Sequence, residues 1–572
     1  MIHLDFIVLA VFALLIFGIG LAFTRIGSKN GQAFFEAGGE TPWWINGLSL
    51  FISYFSAGTF VVWGSIAYKH GLVANTIQLT MAISGGIVAL FIAKRWKRTG
   101  AKTAAEYIGR RFNTGTQQFY TYLVLGLSLF TTASVLYPVG KMVQVATPYS
   151  LETCIIIIGV IIALYTAAGG LWAVLVTDVV QFVILTASVL IVIPIAFEHI
   201  GGPANLVAKA PPDFFKLFND EYTIPFMLAF VVYQTMYIGG NWSYVQRYTS
   251  VRNEKSAEKV AWLFTVLYLV SPVIWMIPPM IYRIMNPDLA GLGAEGAYMM
   301  VCQKVLPAGL IGLVLAGMIS ATSSKANTTI NLAATVFATD IYKKLIRIGA
   351  SEKEQILVAR IFTVLFGICT VIIALLIPRI GGIVGFVLSI ASFAGGALCA
   401  PIIWSLFSRR QTAFSVVTVT ITMLFVNLFL KLAMPAMFDF RLNKTWETIV
   451  GQITPLLLLY SFEMYYKLRG CISVSDFLRE QPMEPTIDVL QHQAATAQNK
   501  FGVRVIAIAM ALVGLGVFVL GTIATKASDI VMVVGSCIVA GAIWIGWATT
   551  RTNKNTAPQL TQNKVPAKQD VV

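Results

Sequence analysis

Long apolar runs alternate with short polar connections along the whole chain. About 20 apolar residues are what an α-helix needs to cross the hydrocarbon of a bilayer. Fifteen such runs can be read, near 4–23, 43–67, 76–96, 117–139, 150–168, 171–197, 225–246, 260–283, 304–338, 356–378, 381–407, 413–433, 447–466, 503–525 and 529–549. The pattern predicts an all-α integral membrane protein of about fifteen transmembrane helices. The first run opens Met1-Ile2-His3-Leu4-Asp5 without Lys or Arg, and no small-residue cleavage site follows, so it reads as a span rather than a leader. Two stretches break the pattern: residues 467–502, polar, with Pro482 and Pro485, and the tail from about 551. Neither is large enough for a catalytic domain, so function belongs inside the bundle.

Composition agrees. Of 572 residues 57% are apolar and 12% charged, with a mean hydropathy of +0.77; soluble domains run near ~45–50% and ~25%. The net charge of +15 would raise the question of nucleic acid in a soluble protein. Here the basic residues sit in short loops: Lys94, Arg95, Lys97, Arg98, Lys102, Arg110 and Arg111; Arg247, Arg252 and Lys255; Lys343, Lys344 and Arg347; Arg409 and Arg410. With the N-terminus outside and alternating spans, all fall on one face, together with Arg551, Lys554, Lys564 and Lys568 of the tail. The positive-inside rule makes that face cytoplasmic, in a plasma (inner) membrane, with lipid and not nucleic acid as the surroundings. The six cysteines form no CxxC pair and the four histidines are scattered, so no disulfide framework, zinc site or organic cofactor is expected.

Polarity inside lipid is costly and marks a pathway. The ninth run contains Ser320-Ala321-Thr322-Ser323-Ser324-Lys325-Ala326-Asn327-Thr328-Thr329. Ala321, Ser324, Lys325 and Thr328 share a helix face by their i, i+3, i+4, i+7 spacing. Hydroxyls on one face suit a partly dehydrated cation; the competing explanation is hydroxyl-mediated helix packing, against which an ammonium argues. Asp178 is either a second functional group or a helix-start acid. Two runs are interrupted by small and polar residues, one through Ser53-Tyr54-Phe55-Ser56-Ala57-Gly58-Thr59, the other at Gly239-Gly240-Asn241-Trp242. Each opens a block of five spans, and two such blocks of opposite orientation form the inverted repeat of secondary transporters.

Four stretches resemble the sodium/solute symporter family, which includes the sodium–glucose transporters: Glu36-Ala37-Gly38-Gly39 through Gly71, Thr103 through Phe112, Gly169-Gly170 with Trp172, Asp178 and Gln181, and Gly312 through Asn331 with Asp340-Ile341-Tyr342. The resemblance spans residues of about 30 to 410. It implies a LeuT-like five-plus-five inverted-repeat bundle over 31–410, with repeats of about 43–197 and 225–407. Around this core lie an extra N-terminal helix (1–30), two further helices (411–466), a cytoplasmic insert (467–502), two C-terminal helices (503–550) and a tail (551–572).

The family's usual sodium site joins two backbone carbonyls of the first broken helix, an alanine carbonyl and two serine hydroxyls. By resemblance these fall on Ile52, Phe55, Ala321 and Ser324, but the second serine position holds Lys325. An ammonium there displaces sodium, since two cations at contact distance repel strongly in low dielectric. The expectation is altered coupling, to protons or to no ion. A second cation site of some members maps onto Asp178, Ser324, Asn327 and Thr328; Asp178 either keeps that role or pairs with Lys325. Sodium is thus the one metal ion that the resemblance implies. Resemblance to the sugar carriers places the solute among Phe55, Thr59, Trp63, Gln234, Tyr237 and Asn241, with Tyr237 as inner gate. Together these imply a secondary active importer of a small polar solute, a sugar or sugar acid. The alternatives are a transporter-derived membrane sensor, a normal sodium symporter using the Asp178 site and, more weakly, a membrane-embedded enzyme.

Overall fold

A computed structural model describes residues 3–27, 41–165, 171–289, 291–440, 442–471, 489–524 and 527–556. With no water in the bilayer core, each span must satisfy its own backbone, and the described residues are almost entirely helical. The helices are α1 (His3–Gly27), α2 (Trp43–Tyr54), α3 (Thr59–His70), α4 (Val73–Arg98), α5 (Thr114–Ala146), α6 (Leu151–Tyr165), α7 (Leu171–Ile200), α8 (Ile224–Gly240) and α9 (Trp242–Thr249). They continue as α10 (Glu254–Met285), α11 (Ala297–Val305), α12 (Leu310–Val336), α13 (Glu352–Leu376), α14 (Gly382–Phe407), α15 (Ala413–Phe438), α16 (Lys444–Leu468), α17 (Val489–Ile523) and α18 (Ser528–Thr556). Among the described residues nine helices are long and apolar enough to cross a bilayer, ten with α2 and α3 as one bent span, and four further apolar segments are shorter. With the less apolar α16 these make fifteen helical segments, roughly consistent with the fifteen spans that the pattern predicts.

The two interruptions have visible local causes. Between α2 and α3 the axis bends by 53°. Phe55 turns extended (ψ 133°), and hydroxyls take over the lost ladder: Thr59 Oγ1 accepts from the Ser56 N–H at 3.3 Å and Ser56 Oγ from the Gly58 N–H at 3.2 Å. Between α8 and α9 Asn241 leaves the helical region (ψ 129°), and its side chain caps the Ser243 N–H at 3.0 Å. The two broken spans run antiparallel. At the face that carries Arg98 and Arg252, the Thr41 N–H and hydroxyl both donate to the Ser250 carbonyl, at 3.1 and 2.9 Å. At the other end His70 lies 3.4 Å from Glu221, which also pairs with Lys444 of α16. Their hydrogen bonds hold the Glu221 carboxyl down at about 2.

The ninth run is shorter than the sequence suggests. Instead of starting at 304 it divides into α11 and α12, because Pro307 lacks an N–H and Gly309 turns left-handed (φ 89°). The first N–H groups of α12 are satisfied from α1: Asp5 Oδ1 accepts from Gly309 at 2.8 Å and from Gly312 at 3.3 Å. A Cβ on Gly312 would meet the Asp5 carbonyl oxygen at 2.1 Å, so backbone rests on backbone there. Asp5→Ala should therefore loosen α1 and lower stability by about 1–2 kcal/mol, measured by thermal unfolding in detergent; an unchanged midpoint would contradict the cap. The stretch read as polar insert is helical from Val489 on, where α17 begins, while 472–488 and the tail beyond 556 lie outside the described residues. Helices α17 and α18 close on each other through glycines; a Cβ on Gly535 would meet the Phe518 nitrogen at 2.6 Å.

Candidate functional site

Helix α12 crosses between the two breaks. Its register turns Ala321 and Lys325, one turn apart, toward the space left where α2–α3 and α8–α9 lose regular winding. Two adjoining cavities fill that space. The first, about 130 Å³, is bounded by Ile52 and Ser53 of α2, Asp178 of α7, Asn241 at the break before α9, Arg247 of α9, and Ala321 of α12. The second, about 110 Å³, is bounded by Thr59 and Trp63 of α3 and by Phe230, Tyr233 and Gln234 of α8. Both are lined by Thr131 and Val135 of α5, Tyr237, Tyr244 and Lys325, so these five side chains form the partition.

The partition is built from packed rings. Tyr54 lies edge-on to Tyr237 with centroids 6.0 Å apart, and Tyr237 is edge-on to Tyr244 at 5.7 Å. The Tyr54 hydroxyl donates to the Gln234 side-chain oxygen, tying α2 to α8 across the two breaks. Edge-to-face pairs of this geometry hold the rings in position.

Thr59, Trp63, Gln234, Tyr237 and Asn241 thus come together on the cavity walls, as do Ile52, Ala321, Lys325 and Asp178. Ser324, Asn327 and Thr328 lie on α12, but their side chains fall outside the described residues, as do Glu36–Gly39 and Gly169–Gly170. Phe55 does not line either cavity. It closes α2, and its buried ring packs on Trp275 at 3.7 Å and on Phe60 at 5.1 Å, because the extended turn at this residue swings the side chain into the bundle.

A correction concerns Arg247, read from the sequence as a loop residue that sets topology. It lies within α9 and is buried, with only 3% of its side chain exposed. Its Nη2 is 3.9 Å from Asp178 Oδ2, its Nε donates to Ser49 Oγ at 3.3 Å, its Nη1 to the Ser243 carbonyl at 2.8 Å, and its Nη2 to Ser53 Oγ at 3.3 Å. Ser49 Oγ in turn donates to Asp178 at 2.6 Å. Asp178 therefore pairs with Arg247 and not with Lys325. One signal was present: Arg247 follows the run 225–246 without a break, four residues after Ser243, where a helix would carry it inward. Lys325, for its part, meets no carboxylate among the described side chains.

Two interrupted helices facing each other across mid-membrane cavities, inside a five-plus-five inverted repeat, define a carrier that encloses a small solute. The family profile described as Sodium:solute symporter family matches residues 34–421, and the chain belongs to that family. It is 26% identical over 490 residues to a sodium/glucose cotransporter of Vibrio parahaemolyticus, covering 79% of this chain and 90% of that protein. It is 28% identical over 453 residues to a sodium/mannose cotransporter of Bos taurus, covering 71% and 75%. Among solved structures, a Na+-coupled sialic acid symporter in a substrate-bound outward-open state superimposes with a TM-score of 0.67 at 21% identity, over 82% of this chain and 98% of that one, which shows the LeuT-like fold. The protein is an integral membrane secondary active transporter of small solutes, not an enzyme.

Proposed function

We propose that this protein imports a small polar solute, a sugar or sugar acid, by alternating access, and that it does so without sodium at the position to which the family resemblance assigns the ion. In a plasma membrane its N-terminus lies outside and its C-terminus in the cytoplasm, as the one-sided distribution of basic loops requires. The observation that carries the coupling proposal is the placement of Lys325: it lines both cavities, one helical turn from Ala321, with no carboxylate among the described side chains to absorb its charge. A fixed ammonium there excludes a mobile cation by direct repulsion. The alternative sodium site at Asp178 is disfavoured by the same geometry, because the Arg247 guanidinium already sits beside that carboxylate.

The test is uptake into proteoliposomes with sodium, potassium and proton gradients imposed in turn. The wild type is expected to accumulate solute equally with sodium or potassium outside, and Lys325→Ser, which restores the second hydroxyl, to gain a sodium dependence of about tenfold. Strong sodium stimulation of the wild type, unaltered in Lys325→Ser, ends the proposal.

A further inference from the structure

We propose that the transported solute is a small organic anion whose carboxylate is held by Lys325 at the neck between the two cavities. The inference rests on the reading that these cavities are the solute site, and it goes further by assigning the solute a charge and a contact.

Among the described residues that line the two cavities, the charged side chains are Lys325, Arg247 and Asp178. Arg247 and Asp178 neutralise each other: their charged atoms are 3.9 Å apart, their side chains are 3% and 2% exposed, and Ser49, Ser53 and Ser243 take up further guanidinium and carboxylate valences. One positive charge is left over, on Lys325. An uncompensated ammonium in a low-dielectric interior is costly, and a partner on the solute relieves that cost. A charge-assisted bond to a carboxylate is about twice as strong as one between neutral groups.

The rest of the wall fits the body of such a solute. Trp63, Phe230 and Tyr233 of the second cavity supply aromatic walls. Thr59 and Gln234 offer hydrogen-bonding groups for hydroxyls, and the Asn241 amide sits on the other side of the partition. No further cationic side chain lines the second cavity among the described residues, so an anion entering it has one place for its charge. A neutral sugar would leave Lys325 without a counter-ion; an amine would meet like charge.

The purified full-length transporter is to be tested with matched pairs: D-galacturonate against D-galactose, D-gluconate against D-glucose, and lactate against lactamide, with sodium chloride and sodium phosphate as inorganic controls. Binding is read by thermal stabilisation and transport by uptake into proteoliposomes. At least one acid is expected to bind about tenfold more tightly than its neutral partner. Lys325→Gln should erase that preference, and Lys325→Arg should keep it. The proposal is overturned if no acid binds, if a neutral member binds as well as its acid, if the inorganic anions alone stabilise the protein, or if Lys325→Gln retains the preference. Should that variant fail to accumulate, the wild-type pairs decide. Acid binding without uptake of that acid would keep the Lys325 contact but overturn its assignment to the transported solute; uptake of a neutral sugar alone would keep the import reading and overturn the contact.

Discussion

Arg247→Leu is expected to abolish uptake and to lower the stability of the purified protein by about 3–5 kcal/mol, the usual cost of removing one partner from a buried ion pair. The reason lies in what it leaves behind. Asp178, 1% exposed on α7, loses the guanidinium beside it, and Ser49 and Ser53 of α2 lose a donor that ties them to α9. Since α2 and α9 are the halves of the two broken helices on the basic face, the change unfastens the elements that enclose the first cavity. Arg247→Lys should rescue only in part: a compact ammonium cannot serve Asp178, Ser49, Ser53 and the Ser243 carbonyl at once, whereas the planar fork does. Removing both charges, as in Asp178→Asn with Arg247→Leu, should recover much of the lost stability without recovering transport. Thermal unfolding in detergent and proteoliposome uptake measure the two effects separately. A single Arg247→Leu variant with wild-type stability would show that the pair contributes nothing to the fold.

Gly71→Ala should be the second severe change. Gly71 sits at φ +58° at the end of α3, and a Cβ there would meet the Phe214 carbonyl oxygen at 1.9 Å. The Leu72 N–H donates to that same oxygen at 3.0 Å, so the loop cannot back away without breaking the bond. Backbone strain alone is worth about 1–3 kcal/mol, and overpacking adds a similar amount. Displacing this loop also disturbs the contact of His70 with Glu221 and so the link to Lys444. Gly100→Ala is the matched control: φ is +65° there too, but nothing lies within 4 Å of the added carbon. The expected order, measured as yield of monodisperse protein and unfolding midpoint, is wild type, then Gly100→Ala, then Gly71→Ala well below both. Equal losses for the two variants would mean that conformational strain, and not the close approach, governs the site.

Much of the architecture was open to a reading of the chain because its causes are local. A bilayer demands about 20 apolar residues per span, and that demand is written residue by residue. The interruptions at Ser56-Ala57-Gly58 and Gly240-Asn241 announced themselves through residues that cap or release a helix, and the structure shows the hydrogen bonds they make. The start of α12 at Leu310 instead of 304 has local causes too: Pro307 lacks an N–H and Gly309 is left-handed.

The site was legible only in part. The placement of Lys325 on a polar face of α12 followed from helical periodicity, since neighbours at three and four residues share a face whatever packs against them. The fates of Phe55, Arg247 and Asp5 did not follow. Phe55 turns into the bundle because an aromatic pocket around Trp275, some 220 positions away along the chain, receives it. Arg247 is drawn inward by a carboxylate on α7, and Asp5 caps α12 across a separation of 304 residues. By itself the sequence determined the class of protein, the number of spans and the places where helices must break, because each depends on chemistry within a few turns. Only the tertiary structure decided which buried charges neutralise each other and which one remains to face the solute, because a charge's partner is set by the rotation and depth of whole helices against one another.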